Sequence, residues 1–195
     1  MTLSAELKTE IIRKLIHFLI GLIPLMASIN RLFTLIFLLI GTLIFTICEI
    51  LRCKGIKVPV ISALTHIASR PRDRGRFVLA PITLGMGAFL SLVFFSLPVA
   101  SIAIYALAFG DGFASLAGKL FGRLRPPFLF GKSIEGSLVC FTAVFFTSCL
   151  VLCDIRIMLV SALAAMLAES LPLGDFDNIV MPLAVGLAVQ LAMTL

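Results

Sequence analysis

The residues of this sequence that could do chemistry are acids placed where acids are costly. Long apolar segments contain or adjoin Asp111, Glu135, Glu169, Asp175 and Asp177. A carboxylate near hydrocarbon costs free energy unless a cation or a polar cavity receives it, so it marks a functional site by default. Oxygen ligands without a Cys or His cluster favour Mg²⁺, together with water and substrate phosphate. We therefore predict a metal site at Asp111 and Asp177, with Asp175 or Glu169.

The segment around Asp111 combines small residues with a polar face. Four small residues recur at four-residue steps, namely Gly110, Ala114, Gly118 and Gly122. Such a stripe permits close helix packing. Asp111, Ser115 and Lys119 repeat with the same spacing on an adjacent face. Helix packing explains the glycines as well as a functional site would. It does not explain why a carboxylate, which costs free energy near hydrocarbon, stands at position 111.

Residues 131–137 form a second candidate, Gly-Lys-Ser-Ile-Glu-Gly-Ser, at the start of an apolar segment. Backbone N–H groups at Ser133, Gly136 and Ser137 could receive phosphate at a helix N-terminus, and Lys132 could add a point charge. The segment is not a P-loop, because the upstream glycine is absent. Capping by Ser133 and Glu135, with Lys132 as a topology signal, explains it equally well.

Two further polar groups lie at the ends of apolar segments. Arg13, Lys14 and His17 share helical spacing at the start of the first one. Snorkelling explains the two cations, while His17 lies a turn deeper. Glu49 and Arg52 are spaced to pair at the end of the second segment.

The segment 169–182 carries three acids and Asn178 but no cation. A cytoplasmic loop usually prefers basic residues. Capping by Asp177 and Asn178 could explain one acid, but it leaves the others, including Glu169, without a purpose.

The elements that must position these residues are helices in lipid. The chain is 61% hydrophobic and 13% charged, with a mean hydropathy of +1.17, which a soluble domain of 195 residues could not bury. We predict one all-α membrane domain over 1–195, a polytopic transmembrane helix bundle of about seven spans. The spans are 15–29, 32–51, 77–97, 99–120, 136–153, 156–171 and 179–195. Residues 58–68 are too short to cross and are expected to lie at the interface.

The basic residues predict the orientation of the bundle. Of sixteen Lys and Arg residues, fourteen fall on one side of this segmentation, and only Arg31 and Arg156 fall on the other. The positive-inside rule then places the N-terminus in the cytoplasm and the C-terminus outside. The net charge of +6 is read as topology and lipid contact, because no nucleic-acid motif accompanies it. The five cysteines are read as small hydrophobic residues.

Together these segments, in order along almost the full chain, resemble the CTP-dependent lipid-alcohol kinases: dolichol kinase, phytol kinase and the CTP-using diacylglycerol kinase of yeast. The resemblance implies transfer of the γ-phosphate of CTP to a lipid hydroxyl with a divalent cation, at the cytoplasmic face. It implies catalytic roles for Asp111, Lys132 and Glu135, with Glu135 or Asp111 accepting the proton. The implied phosphate ligands are Lys132, Ser133, Gly136, Ser137, Lys119, Arg13, Lys14 and His17. The supporting residues are Asn178, Gly110, Gly118, Gly122, Glu49 and Arg52.

Two other functions stay open at this point. The phosphatidate cytidylyltransferases share the Gly-Asp helix and the Lys-Ser/Thr-x-Glu-Gly segment, but their C-terminal signature is missing, and Asp177-Asn178 followed by Pro182 fits the kinases better. A transporter should carry polar residues through the bilayer depth, whereas the outer halves of these spans are apolar. We expect a bacterial cytoplasmic membrane. The lipid acceptor and the oligomeric state, including a homo-oligomer, are open.

Overall fold

The computed structural model describes residues 5–56, 58 and 76–194. Over these residues the chain forms nine α-helices: α1 (Ala5–Ile20), α2 (Ile23–Ile29), α3 (Arg31–Cys53), α4 (Ala80–Phe94), α5 (Leu97–Tyr105), α6 (Gly112–Leu120), α7 (Ile134–Cys149), α8 (Ile155–Ser170) and α9 (Asp177–Thr194). A π-helical turn, Ala106–Asp111, joins α5 to α6. Short 3-10 turns lie at Pro127–Leu129 and Gly174–Phe176. The described residues contain no strand, which confirms the all-helical prediction.

Four helical stretches of the described chain are long and apolar enough to cross a membrane: Leu7–Ile29, Arg31–Cys53, Leu97–Leu120 and Gly174–Thr194. Helices α4 and α7 are apolar but shorter. Each predicted span coincides with a helix or a run of helices. A membrane protein is thus supported, while seven crossings and the side that each terminus faces stay predictions. The expected interfacial segment 58–68 lies outside the described residues apart from Val58.

Proline and glycine set two of the helix boundaries. Pro98 lies in the first turn of α5, where its missing N–H costs nothing, and the chain turns between α4 and α5 as the sequence predicts. The first span is divided between α1 and α2 close to Gly21. A Cβ added at Gly21 would lie 2.8 Å from the ring of Phe109, so the first span packs against the π-helical turn at a residue without a side chain.

Helix α5 is the centre of the bundle, and its residues from 99 to 104 are buried. One core cluster joins Val99 and Ile102 to apolar residues of α7, α8 and α9. A second cluster joins Ala100 and Ile104 to α2, α3 and α4. Large apolar side chains stay exposed on the outer helix faces, as at Ile29 and Phe146. An outer surface of this kind is suited to lipid.

The two ends of the bundle differ in charge. At one end, Arg31 donates hydrogen bonds to the backbone oxygens of Leu92 and Phe95, which ties the start of α3 to the end of α4. At the same end, Asp154 caps α8, and hydrogen bonds from Arg156 lower the pKa of Asp154. The acids and cations singled out from the sequence lie at the other end, where α6 finishes and α9 begins.

Candidate functional site

Asp111 is positioned by the π-helical turn that it ends. A π-helical turn is often found at a functional site, because it interrupts the regular spacing of side chains. Lys14 Nζ donates to Asp111 Oδ2 at 2.5 Å, and His17 Nδ1 lies 3.3 Å from the same oxygen. Gly110 allows the close approach behind this turn, since a Cβ there would lie 2.7 Å from Val144 Cγ2. The costly acid therefore has a cation as its partner.

Glu10 connects α1 to the polar face of α6. It is 1% exposed and accepts hydrogen bonds from Ser115 Oγ at 2.6 Å and Lys119 Nζ at 2.7 Å. It also accepts from the Arg13 guanidinium. Sequence reasoning missed Glu10. A usable signal was its position one helical turn before Arg13, since Ser115 and Lys119 on α6 also lie one helical turn apart.

Lys132 joins the end of α8 to the start of α9. Its Nζ lies 3.5 Å from Glu169 Oε1 and 3.6 Å from Asp177 Oδ2, and it donates to the backbone oxygen of Glu169. Ser137 Oγ donates to the other carboxylate oxygen of Glu169 at 3.1 Å. One cation thus lies between two carboxylates from different helices.

The small residues of α6 bring it against the start of α7. Ser133 Oγ caps α7 by accepting from the backbone N–H of Gly136 at 3.1 Å. A Cβ at Gly136 would lie 2.9 Å from the Ala114 oxygen, and one at Gly122 would lie 2.8 Å from Ser133 Cβ. Packing and capping therefore account for these residues, and the same packing holds Lys132 beside the site.

Glu135 holds the connection between α6 and α7. Its carboxylate accepts from the backbone N–H groups of Arg123 at 2.9 Å and Leu124 at 3.2 Å. Arg125 closes the same connection by donating to the Gly131 oxygen at 2.7 Å. Glu135 is not among the residues that line the cavity described next.

A polar cavity of about 210 Å³ opens among α1, α6, α7, α8 and α9. The residues predicted from sequence that line it are Arg13, Lys14, His17, Asp111, Gly118, Lys119, Lys132, Ser133, Gly136, Glu169, Asp175, Asp177 and Asn178. The structure adds Ala114, Ser115, Arg125, Gly131 and Gly174. The predicted site residues that do not line it are Gly110, Gly122, Glu135, Ser137, Glu49 and Arg52. Arg125 has no outstanding sequence signal, since it is one basic residue in a basic connection.

Two of the supporting residues, Glu49 and Asn178, form hydrogen bonds that join helices. Glu49 is fully buried and accepts from Arg52 Nε at 2.8 Å and from the backbone N–H of Val78 at 2.7 Å, which ties the end of α3 to the start of α4. Asn178 Nδ2 donates to Thr83 Oγ1 at 2.9 Å, so its amide joins α9 to α4.

Three buried side-chain atoms lack a hydrogen-bond partner within the part of the chain that the structure describes: Arg13 Nε, His17 Nδ1 and Asp177 Oδ1. All three belong to residues that line the polar cavity. Buried polar atoms in proteins are nearly always paired. A ligand that offers an acceptor to Arg13 and a cation to Asp177 would satisfy two of the three atoms, Arg13 Nε and Asp177 Oδ1.

The acids fit a divalent cation that is shared with a ligand. The described residues contain no group of three or more His, Cys, Asp or Glu side chains that could hold a metal by themselves. Mg²⁺ usually takes one or two carboxylates and fills its other positions with water and phosphate oxygens. Glu169 and Asp177 could be those two carboxylates, since both lie near Lys132. Asp177 Oδ1 has no hydrogen-bond partner among the described residues.

An apolar groove of about 470 Å³ adjoins the polar cavity. It is lined by residues of α1 to α4 and the short segment before α4. Arg13 and His17 line both spaces. The two spaces therefore meet at one face of α1.

Comparison with known proteins gives relatives that match almost the whole chain. The chain is 27% identical over 216 residues to a probable phytol kinase of Oryza sativa, covering 98% of this chain and 67% of that protein. It is 28% identical over 218 residues to a phytol kinase of Arabidopsis thaliana, covering 98% and 69%. An uncharacterised protein of Methanocaldococcus jannaschii is 26% identical over 188 residues, covering 93% of each chain.

No family model matches the chain. No solved structure matches it either. The similarity to phytol kinases nevertheless extends over nearly the whole sequence, at about 27% identity.

Proposed function

We propose that this protein is a membrane kinase that transfers the γ-phosphate of CTP to the hydroxyl of a lipid alcohol. The observation that carries the proposal is the polar cavity, whose three unpartnered atoms call for both an anion and a cation. A nucleotide phosphate with its divalent cation supplies both. The names of the phytol kinase relatives support phosphorylation of a lipid alcohol, and CTP as the phosphate donor rests on the resemblance of the sequence motifs.

The cations around the cavity would receive the phosphates. Phosphoryl transfer asks mainly for positioning and for neutralisation of negative charge. Lys132, Arg13, Lys119 and Arg125 all line the cavity. Glu10 pairs with Arg13 and Lys119, so their positions on α1 and α6 are coupled before any ligand binds.

The carboxylates divide into two roles in this proposal. Glu169 and Asp177 would hold Mg²⁺ or another divalent cation, with Asp175 on the same cavity wall. The cation, when bound, would neutralise charge on the nucleotide phosphates. Asp111 would act as the proton acceptor, because it lies beside His17, where the apolar groove reaches the cavity. Glu135 has no catalytic role in this proposal, because its carboxylate accepts hydrogen bonds from backbone N–H groups.

The proposed reaction moves one phosphoryl group from CTP to the lipid alcohol. The lipid hydroxyl oxygen bonds to the γ-phosphorus, and the bond from that phosphorus to the β–γ bridging oxygen breaks. The hydroxyl proton passes to the Asp111 carboxylate, and CDP leaves with the electron pair of the broken bond. The products are a lipid monophosphate and CDP. We place the reaction at the cytoplasmic face of the membrane, in line with the distribution of basic residues.

The test uses the purified protein with CTP labelled at either the α- or the γ-phosphate. Phytol, a polyprenol, diacylglycerol and phosphatidate are supplied separately in mixed micelles with Mg²⁺. Label in the lipid from the γ-phosphate with an alcohol acceptor is the expected result. Label from the α-phosphate with phosphatidate would instead identify cytidylyl transfer, and no label from either position would overturn both. ATP labelled at the γ-phosphate tests the choice of nucleotide.

A further inference from the structure

The apolar groove between α1, α2, α3 and α4 has no structural role that the packing of the described helices explains. A helix bundle normally fills such a space with side chains at close packing. Here about 470 Å³ stays open, and Gly41 on α3 faces it without any heavy atom within 4 Å of the position that a Cβ would take. The groove is therefore a space that the described residues of α1 to α4 leave open.

The groove is joined to the polar cavity by two residues with unsatisfied donors or acceptors. Arg13 and His17 lie one helical turn apart on α1 and line both spaces. His17 is 3% exposed, and its Nδ1 lies 3.3 Å from Asp111 Oδ2 without a hydrogen bond to any described residue. Arg13 Nε is likewise buried and unpartnered in the described part of the chain. A molecule that spans the junction would bring a polar group to these nitrogens and an apolar part into the groove.

We propose that this groove is the binding site for the hydrocarbon tail of the acceptor alcohol, and that the hydroxyl passes between Arg13 and His17 into the polar cavity. The inference rests on the proposed kinase function. It adds the location of the acceptor, the helices that enclose its tail, and Gly41 as a residue that sets the room available to the tail.

The apolar groove, at about 470 Å³, falls in the range of about 300–1,000 Å³ that is typical of small-molecule sites, so it can hold an alkyl chain. The hydroxyl end of this chain would lie beside Asp111, the proposed proton acceptor, because His17 contacts Asp111.

Gly41 allows a direct test of the groove. Gly41→Phe adds bulk to an open space, and replacing a helical glycine does not weaken the helix. Gly85 is unsuitable, although it also lines the groove, because a Cβ there would collide with Thr42 Oγ1. Leu43→Phe is the matched control, since Leu43 is 52% exposed on the same helix and does not line the groove.

The first measurement is binding, and it needs no turnover. A diazirine-bearing hexadecanol is photolysed with the full-length protein in detergent, and labelled peptides are identified by mass spectrometry. Label should fall on α3 and α4, decrease about tenfold in Gly41→Phe and stay unchanged in Leu43→Phe. Equal labelling in Gly41→Phe, or competition by phosphatidylcholine as strong as that by unlabelled hexadecanol, would overturn the proposal. So would crosslinks from a photoreactive residue at position 41 to a second copy of the chain.

The second measurement is the acceptor dependence of phosphoryl transfer. Gly41→Phe should raise the KM for hexadecanol about tenfold, while the KM for CTP and the rate with hexanol stay at the values of the unsubstituted protein. A rise in the KM for CTP of the same size would contradict a tail site. If the unsubstituted protein transfers no phosphate, the proposed function fails, while the labelling result still decides whether the groove binds an alkyl alcohol.

Discussion

The polar cavity and the apolar groove share one face of α1 but are built in different ways. The groove takes its walls from α1 to α4 and the segment before α4, which are neighbours along the chain. The cavity joins residues far apart in sequence, as in the pairs Lys14–Asp111 and Glu10–Lys119, which are 97 and 109 residues apart. Apolar surface can be assembled from any helices that pack together, whereas a charge in an apolar bundle needs a particular partner.

The two spaces also differ in what they leave unsatisfied. The groove leaves empty volume beside Gly41, and the cavity leaves polar atoms of Arg13, His17 and Asp177 without partners in the described chain. Empty apolar volume is suited to a hydrocarbon, and unpaired polar atoms are suited to a charged ligand. A lipid alcohol and a nucleotide are together the pair of ligands that this difference indicates.

The largest effect is expected from the acid where the two spaces meet. Asp111→Asn should lower phosphoryl transfer about a thousandfold, because it removes the proposed proton acceptor. Transfer of γ-label to the lipid measures the rate. Asp154→Asn is the matched control at the other end of the bundle, where the carboxylate pairs with Arg156, and it should leave the rate unchanged.

Loss of folded protein must be separated from loss of chemistry, because Asp111→Asn leaves Lys14 buried without its ion pair. Replacing the whole pair by Lys14→Met with Asp111→Asn removes both charges, which buried pairs often tolerate. This double variant should be folded by thermal denaturation in detergent and inactive. A folded and active double variant would remove Asp111 from the mechanism.

A smaller effect is expected at the proposed cation site of the polar cavity. Asp177→Asn should raise the Mg²⁺ concentration needed for half-maximal rate about tenfold to hundredfold, since it replaces a charged ligand by a neutral one. Titration of the rate with Mg²⁺ at saturating CTP measures it. An unchanged Mg²⁺ dependence would place the cation elsewhere and leave the unpartnered Asp177 Oδ1 unexplained.

Glu10→Gln should have a moderate effect that is confined to the polar cavity. The amide keeps the shape but weakens the charge-assisted bonds from Arg13 and Lys119, so the KM for CTP should rise about fivefold, equivalent to about 1 kcal/mol. Glu49→Gln is the matched control, because Glu49 is a buried acid that is paired with Arg52 and does not line the polar cavity. If both variants raise the KM for CTP equally, Glu10 acts only through stability.

The smallest effect is expected at Glu135. Glu135→Gln keeps a carbonyl oxygen that can accept from Arg123 and Leu124, and the residue does not line the cavity, so the rate should change by less than about twofold. The same labelled-CTP assay measures it. A loss as large as that of Asp111→Asn would restore Glu135 as a candidate proton acceptor and contradict the assignment of that role to Asp111 alone.

Patterns along the chain are enough to predict the lipid surroundings, the helices and the end of the bundle that carries the acids. Hydropathy and proline position act locally, so the Leu97-Pro98 boundary and the small-residue stripe of α6 could be read from the chain. Which charged side chains contact each other depends on the tertiary structure. The π-helical turn at Asp111, the partners of Glu10 and the capture of Glu135 by the backbone depend on how each helix is rotated against its neighbours. That rotation is set by packing across the whole bundle, which no local pattern contains.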